Sequence, residues 1–203
     1  MLRFRRADVS YEDLPADGHF EILMFNSHDR TKRYQLSAGV YRMICSNGLI
    51  VASHMLSRTV LTHYHVRHSI AELVSEATAL AARSGMVMDI VESMRDRVLT
   101  VGEQLDLARK AIDIRYRGIP TDLRPETLLN VRREEDAGDD LWHTFNRVQE
   151  NMIVGGVHTG RRHTRPMVSL YETNALNTQL WVAAEKLLAV SGVPKTEALV
   201  TAE

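Results

Sequence analysis

Cysteine occurs once in this 203-residue chain, at Cys45. A single thiol excludes an internal disulfide framework and fits a reducing compartment. Lysine is nearly as scarce, standing only at Lys32, Lys110, Lys186 and Lys195, so almost all positive charge is arginine. Arginine is the better fork-shaped ligand for phosphate and carboxylate, although a GC-rich genome gives the same bias. No apolar run approaches the roughly 18 residues that suggest a bilayer span. The opening MLRFRRADVS holds neither an apolar signal core nor a cleavage site. Neither of the glycine-rich phosphate-binding motifs is present, and no His-Glu-x-x-His. These absences predict a cytoplasmic, non-enzymatic protein with no cofactor, no metal site and no membrane contact.

What remains suits a globular chain. Hydrophobic residues make up 44% and charged residues 25%, and 25 Lys and Arg face 26 Asp and Glu. Such a balance allows a sizeable core and one domain. The expected domain is 1–190, with 191–203 as a frayed tail. The fold class is expected to be α+β, an antiparallel β-hairpin sheet backed by several α-helices. Residues 2–8 alternate apolar Leu2 and Phe4 with Arg3 and Arg5, the period of a half-buried strand. Phe20 to Phe25 and Tyr34 to Ile44 read as strands around the turn formers Asn26-Ser27-His28-Asp29. Small residues Ser37-Ala38-Gly39 point to a bulge, a close backbone approach or a helical turn. After Asn47-Gly48, Leu49-Ile50-Val51 starts another strand, which the β-branched run Val60 to Val66 is expected to join.

From Ser69 the period becomes helical. Ser69 and Glu72 suit a capping box, followed by Ile70, Leu73, Val74, Ala77, Leu80 and Ala81 at helical spacing. A break at Ser84-Gly85 precedes a helix over Val87–Leu99. Thr100, with Glu103 three residues on, caps another over Val101–Arg117, stopped by Gly118-Ile119-Pro120. Leu123 to Arg133 reads as a short helix, and Glu134–Asp140 as an exposed, mobile acidic loop. Asp139 or Asp140 caps a helix from Leu141 to Val154, closed by Gly155-Gly156. The last helix spans Asn174 to Val190 and bears Trp181. Trp142, Phe145, Val148 and Met152 form one apolar stripe, Leu176, Leu180 and Leu187 a second.

Candidate chemistry divides into weak and stronger constellations. His63-x-His65-x-x-His68 has tempting metal spacing, but a stable site needs further ligands, and exposed polar-face histidines are the simpler account. Cys45 lies in an apolar run, where a buried thiol is inert. Glu134-Glu135-Asp136 reads as a solvated charge patch. Basic patches make the better case: Arg3 and Arg5 on the opening strand; Arg30, Lys32 and Arg33 in the first hairpin turn; Arg67 beside His63 and His65; and Arg161, Arg162 and Arg165 in the segment His158 to Arg165. Gathered together, they would form a groove for single-stranded DNA. The alternative is that basic loops and edge strands guard against edge pairing. A second candidate surface is the polar side of the Leu141–Val154 helix, where Asn146 and Glu150 lie one turn apart and suit a partner protein.

Three ordered anchors carry a family resemblance over Met1 to about Val190. They are LRFRRAD at the start, NSHD with CSNGLIV, and LWHTFNRVQENMIVGG followed by GRRHTR. Together they resemble the phage and plasmid proteins carrying domain of unknown function 932. The resemblance implies a mobile-element role and supplies no catalytic residues. Similar proteins usually have a further segment before the strand matching LRFRRAD. Two functions follow: a DNA-maintenance accessory that binds single strands, or an interaction protein that inhibits a host defence factor.

Overall fold

The computed structural model describes residues 2–5, 18–25, 35–42, 49–50, 75, 78–79, 84–119, 121–160 and 162–190. The fold class is α+β: among the described residues four strands come first, then helices, with a short strand pair before the last helix. The chain falls into two compact units that divide between Asp89 and Ile90.

In the first unit, β1 (Leu2–Arg5), β2 (Gly18–Phe25), β3 (Gln35–Arg42) and β4 (Leu49–Ile50) pair in chain order as an antiparallel sheet. Leu2 stands opposite Met24, Arg5 opposite Glu21, and Phe25 opposite Gln35. β4 joins through Tyr41 opposite Ile50. Ser37, Ala38 and Gly39 continue β3 in unbroken register against Leu23, Ile22 and Glu21. That ladder rules out the bulge and the helical turn considered for these small residues. Ser75, Thr78 and Ala79 are helical and exposed. They fill the gaps between the apolar positions of the helix predicted there. The turns at Asn26–Asp29 and Asn47-Gly48, the strand at Val60–Val66, the Ser69–Glu72 cap, His63, His65, His68, Cys45 and the 191–203 tail lie outside the described residues.

Helix α1 (Ser84–Asp96) begins where a break was expected and ends earlier than predicted. Its apolar Ile90, Val91 and Met94 are buried. After Asp96 the backbone turns to pairing: Leu99 N–H donates to the Asp139 carbonyl at 2.9 Å and Leu141 N–H to the Arg97 carbonyl at 2.8 Å. Val98 consequently bridges Asp140 instead of adding a helical turn.

Helix α2 (Val101–Tyr116) starts at the predicted capping box. The Thr100 hydroxyl accepts from Glu103 N–H at 3.3 Å, and the Glu103 carboxylate accepts from Thr100 N–H at 2.8 Å. Two donors left open at any helix start are thereby satisfied. Those Thr100 hydrogen bonds, backbone first, with help from the Arg97 guanidinium, hold the Glu103 carboxyl below its ordinary value of 4.5. Arg117 at φ 53° and Gly118 at φ 75° end the helix in left-handed backbone.

The segment that follows contradicts two expectations. The helix placed over Leu123–Arg133 is only a 3-10 turn, Pro125–Leu129, because Pro125 starts it without a side-chain cap and Leu128 alone is buried. The acidic run is exposed as expected at Glu134, Glu135 and Asp139 and departs from expectation at Asp136. Glu134–Asp136 forms another 3-10 turn with Asp136 buried, and the adjacent Asp139 and Asp140 are pinned by the backbone pairing to Leu99 and Val98.

Helix α3 (Leu141–Val154) and helix α4 (Leu170–Val190) supply the core. Asp140 caps α3, its carboxylate accepting from His143 N–H at 3.0 Å. Trp142, Phe145, Val148 and Met152 are all buried, as are Leu176, Leu180 and Trp181 of α4. Phe145 links the two helices by meeting Trp181 edge-on, at 5.6 Å between centroids and 87° between planes.

Phe145→Ala is expected to cost about 3–5 kcal/mol, the usual loss for truncating a buried aromatic. Urea denaturation followed by tryptophan fluorescence measures it. Glu103→Gln tests the cap through acid. Because the folded carboxyl titrates below its ordinary value, its stabilisation is complete above about pH 4.5 and fades as pH falls through the lowered value. The variant should lose that part of the acid dependence, read as a smaller drop in melting temperature between pH 6 and pH 3.

Candidate functional site

Helix α3 is buried along nearly its whole circumference, including its polar residues. Interior polar groups cost free energy unless they are paired, so their partners define the architecture. Arg147 donates to Gln104 Oε1 at 3.1 Å, Thr144 Oγ1 at 3.3 Å and the Asp136 carbonyl at 3.3 Å. Gln149 donates to Asn177 Oδ1 on α4 at 2.8 Å. Arg133 donates to Glu150 Oε1 at 3.1 Å. Asn151 is the most heavily used: its amide nitrogen donates to the Leu128 and Asn130 carbonyls at 3.0 and 2.8 Å, and its oxygen accepts from Arg132 Nε at 2.5 Å.

The last turn of α3 leaves its carbonyls without helical partners, where the negative end of the dipole lies. Two guanidinium groups meet them. Arg132 donates to the Gly155 carbonyl, and Arg115 of α2 donates to that of Met152. Arg115 continues to the Arg165 carbonyl at 2.5 Å, tying the helix end to the chain that returns past it.

That return is a hairpin. β5 (His158–Thr159) pairs with β6 (Arg162–His163), Thr159 opposite Arg162 and His158 opposite His163. Gly155 and Gly156, at φ 70° and 72°, steer the chain into it. A Cβ at Gly155 would lie 2.6 Å from the Arg165 backbone, so only glycine fits there. Gly156 N–H donates to the Thr164 carbonyl at 2.8 Å, and Thr164 N–H to that of Val157 at 2.8 Å. The base is further fixed by Met167 N–H donating to the Ile153 carbonyl at 2.8 Å. The braced strands carry His158, Arg162, His163 and, just beyond, Arg165, all exposed. The two imidazoles meet edge-on with centroids 5.1 Å apart. Among the described residues, neither the Arg162 nor the Arg165 guanidinium makes an ion pair. Chemically, the hairpin tip offers cationic donors and two flat rings to an anion.

The expected site residues have separate fates. Arg162 lies on β6 of this hairpin and Arg165 just past its end, both exposed. Arg3 and Arg5 lie on β1, at one end of the described strand order, opposite Leu23 and Glu21. Arg30, Lys32, Arg33, Arg67 and Arg161 lie outside the described residues. Asn146 and Glu150 are not on an open face: they are 1% and 6% exposed, and Glu150 is engaged by Arg133. The residues missed from sequence are Arg115, Arg132 and Asn151, whose partners are distant in the chain, and the pairing of His158 with His163. A two-residue link, Gly160-Arg161, between Thr159 and Arg162 was the available hairpin signal. No group of three or more His, Cys, Asp or Glu among the described residues is placed to hold a metal ion. No helix among them is long and apolar enough to cross a membrane.

The geometry thus defines an α+β protein whose second unit presents a braced basic hairpin, its Arg162 without an ion pair among the described residues. A family model described as a domain of unknown function, DUF932, matches residues 10–181. Two Escherichia coli K12 proteins are similar over 93% of this chain and 68% of their own lengths. The UPF0380 protein YafZ is 33% identical over 198 residues, and the UPF0380 protein YfjQ 32% over 194. The chain belongs to the DUF932 family. No solved structure matches it.

Arg132→Ala should strand the buried Asn151 oxygen and the Gly155 carbonyl, lowering stability by about 1–3 kcal/mol. Arg162→Ala, on the exposed strand, should change it by less than about 0.5 kcal/mol. Equilibrium denaturation of both variants separates brace from display.

Proposed function

We propose that this chain is an accessory protein of mobile genetic elements that binds single-stranded nucleic acid, without a catalytic step, through its basic hairpin. One observation carries the reading: Arg162 and Arg165 are exposed, and without an ion pair among the described residues, on and just beyond a hairpin fixed by Arg115 and by the end of α3. Several other arginines of the same unit are occupied. Arg115, Arg132, Arg133 and Arg147 hold carbonyls, carboxamides or carboxylates of the fold itself. A guanidinium without an internal partner is available to phosphate, and its fork shape suits two phosphate oxygens. His158 and His163 add ring faces on which a base can stack. The mobile-element setting comes from the family resemblance drawn from the three sequence anchors. Inhibition of a host factor through Asn146 and Glu150 has less support, since both side chains are buried.

The test is binding to a fluorescent oligonucleotide across a salt series. Affinity should fall steeply with salt, with a log–log slope of about −0.7 for each phosphate neutralised on a single strand. Arg162→Ala with Arg165→Ala should weaken binding equally for all sequences and reduce the slope by roughly 1.4. Absence of binding in low salt would reject the reading.

A further inference from the structure

A groove runs between α2 and α4 on the second unit, with a cavity volume of about 280 Å³. Leu107, Val182, Ala183 and Leu187 supply its apolar floor residues, and Lys110 and Lys186 line it with Asp106 and Gln179. Leu107 is buried, the other three floor residues are half-buried, and both lysines are exposed. Two features make the groove more than a seam between helices. Lysine is scarce in this arginine-rich chain, yet two of its lysines flank this one depression, one from each helix. Neither ammonium forms an ion pair among the described residues, and the nearby acid, Asp106, is taken by Arg109 at 2.6 Å.

Apolar floor and unpaired ammonium groups together specify an occupant with a hydrocarbon body and an anionic head. A lysine ammonium is a compact point charge on a flexible stem, suited to a single carboxylate at the mouth. The volume lies just below the usual range for small-molecule sites, which favours a short chain over a large cofactor. We propose that the α2–α4 groove binds a medium-chain monocarboxylate, its alkyl chain against Leu107, Val182, Ala183 and Leu187 and its carboxylate between Lys110 and Lys186. This site is independent of the hairpin and of any nucleic acid bound there.

The probe is sodium octanoate, titrated into the full ¹⁵N-labelled chain and followed by amide shifts. One saturable site is expected, with the shifts mapping to Leu107 and to Val182–Leu187. Hexanoate should bind about tenfold more weakly, since each methylene removed from water contributes about three- to fourfold. Lys110→Gln with Lys186→Gln should weaken octanoate by about four- to twenty-five-fold, each exposed charge pair contributing roughly two- to fivefold. The same double variant should leave binding of octanol unchanged. Ala183→Phe, which fills the floor, should abolish both. The lysine pair is exposed, so its replacement keeps the test decisive even if the filled variant does not fold. The proposal is overturned if octanoate does not saturate in the millimolar range, if octanol binds as tightly as octanoate, or if the double variant keeps full affinity.

Discussion

The end of helix α3 is where the second unit is won or lost. Its final carbonyls point out of the helix with partial negative charge, and the chain turns back on itself immediately through Gly155 and Gly156. Left alone, that arrangement would bury acceptors without donors, a costly condition in an interior. Arg115 and Arg132 resolve it from two directions, one reaching from α2 and the other from the chain between the 3-10 turns. Because Arg115 also holds the Arg165 carbonyl, the same interaction that closes the helix fixes the hairpin. Stability of the core and display of the basic strands are therefore one problem with one solution.

Arginine richness then takes on two meanings within a single unit. Arg147 lies inside, surrounded by Gln104, Thr144 and the Asp136 carbonyl, and does the work of a multi-armed hydrogen-bond donor. Arg97 pairs with Glu103 in a part-buried contact, and Arg109 with Asp106 at the surface, where such contacts are worth little. Arg162 and Arg165 have neither role. Composition alone cannot separate these cases, since each is an arginine with the same charge. The separation comes from which acceptors the fold leaves nearby.

Local signals were legible and distant ones were not. Thr100 with Glu103, and Asp140 before Leu141, announce helix starts within four residues, and both caps form as written. The stripe of Trp142, Phe145, Val148 and Met152 reveals a core face for the same reason: its evidence is periodic and near. The β1–β4 meander was readable from alternation and turn residues. Asp136 was misread because its burial depends on Arg133, Glu134 and the pinned chain around Asp139, none of which a run of acids discloses. Asn146 and Glu150 looked like an outer face because polar residues usually are one; here the helix is enclosed, and Glu150 answers an arginine 17 positions away. Asn151 was invisible for a stronger reason. Its three partners, at Leu128, Asn130 and Arg132, come from a segment whose irregular path no period predicts.

That irregular path explains why a helix so rich in polar residues can sit inside. A regular neighbour satisfies its own backbone and has few groups to offer, whereas the stretch around Pro125–Leu129 exposes carbonyls that need donors. Asn151 gives those carbonyls two N–H groups and takes one back from Arg132, so donors and acceptors balance at its amide. Replacing the polar residues of α3 with apolar ones would leave the irregular segment unpaired, not merely repack a core. The family anchor LWHTFNRVQENMIVGG is on this account a docking strip for the chain's own loops. Beyond it Arg162, His163 and Arg165 are exposed, so the enclosed strip gives way to solvent within a few residues.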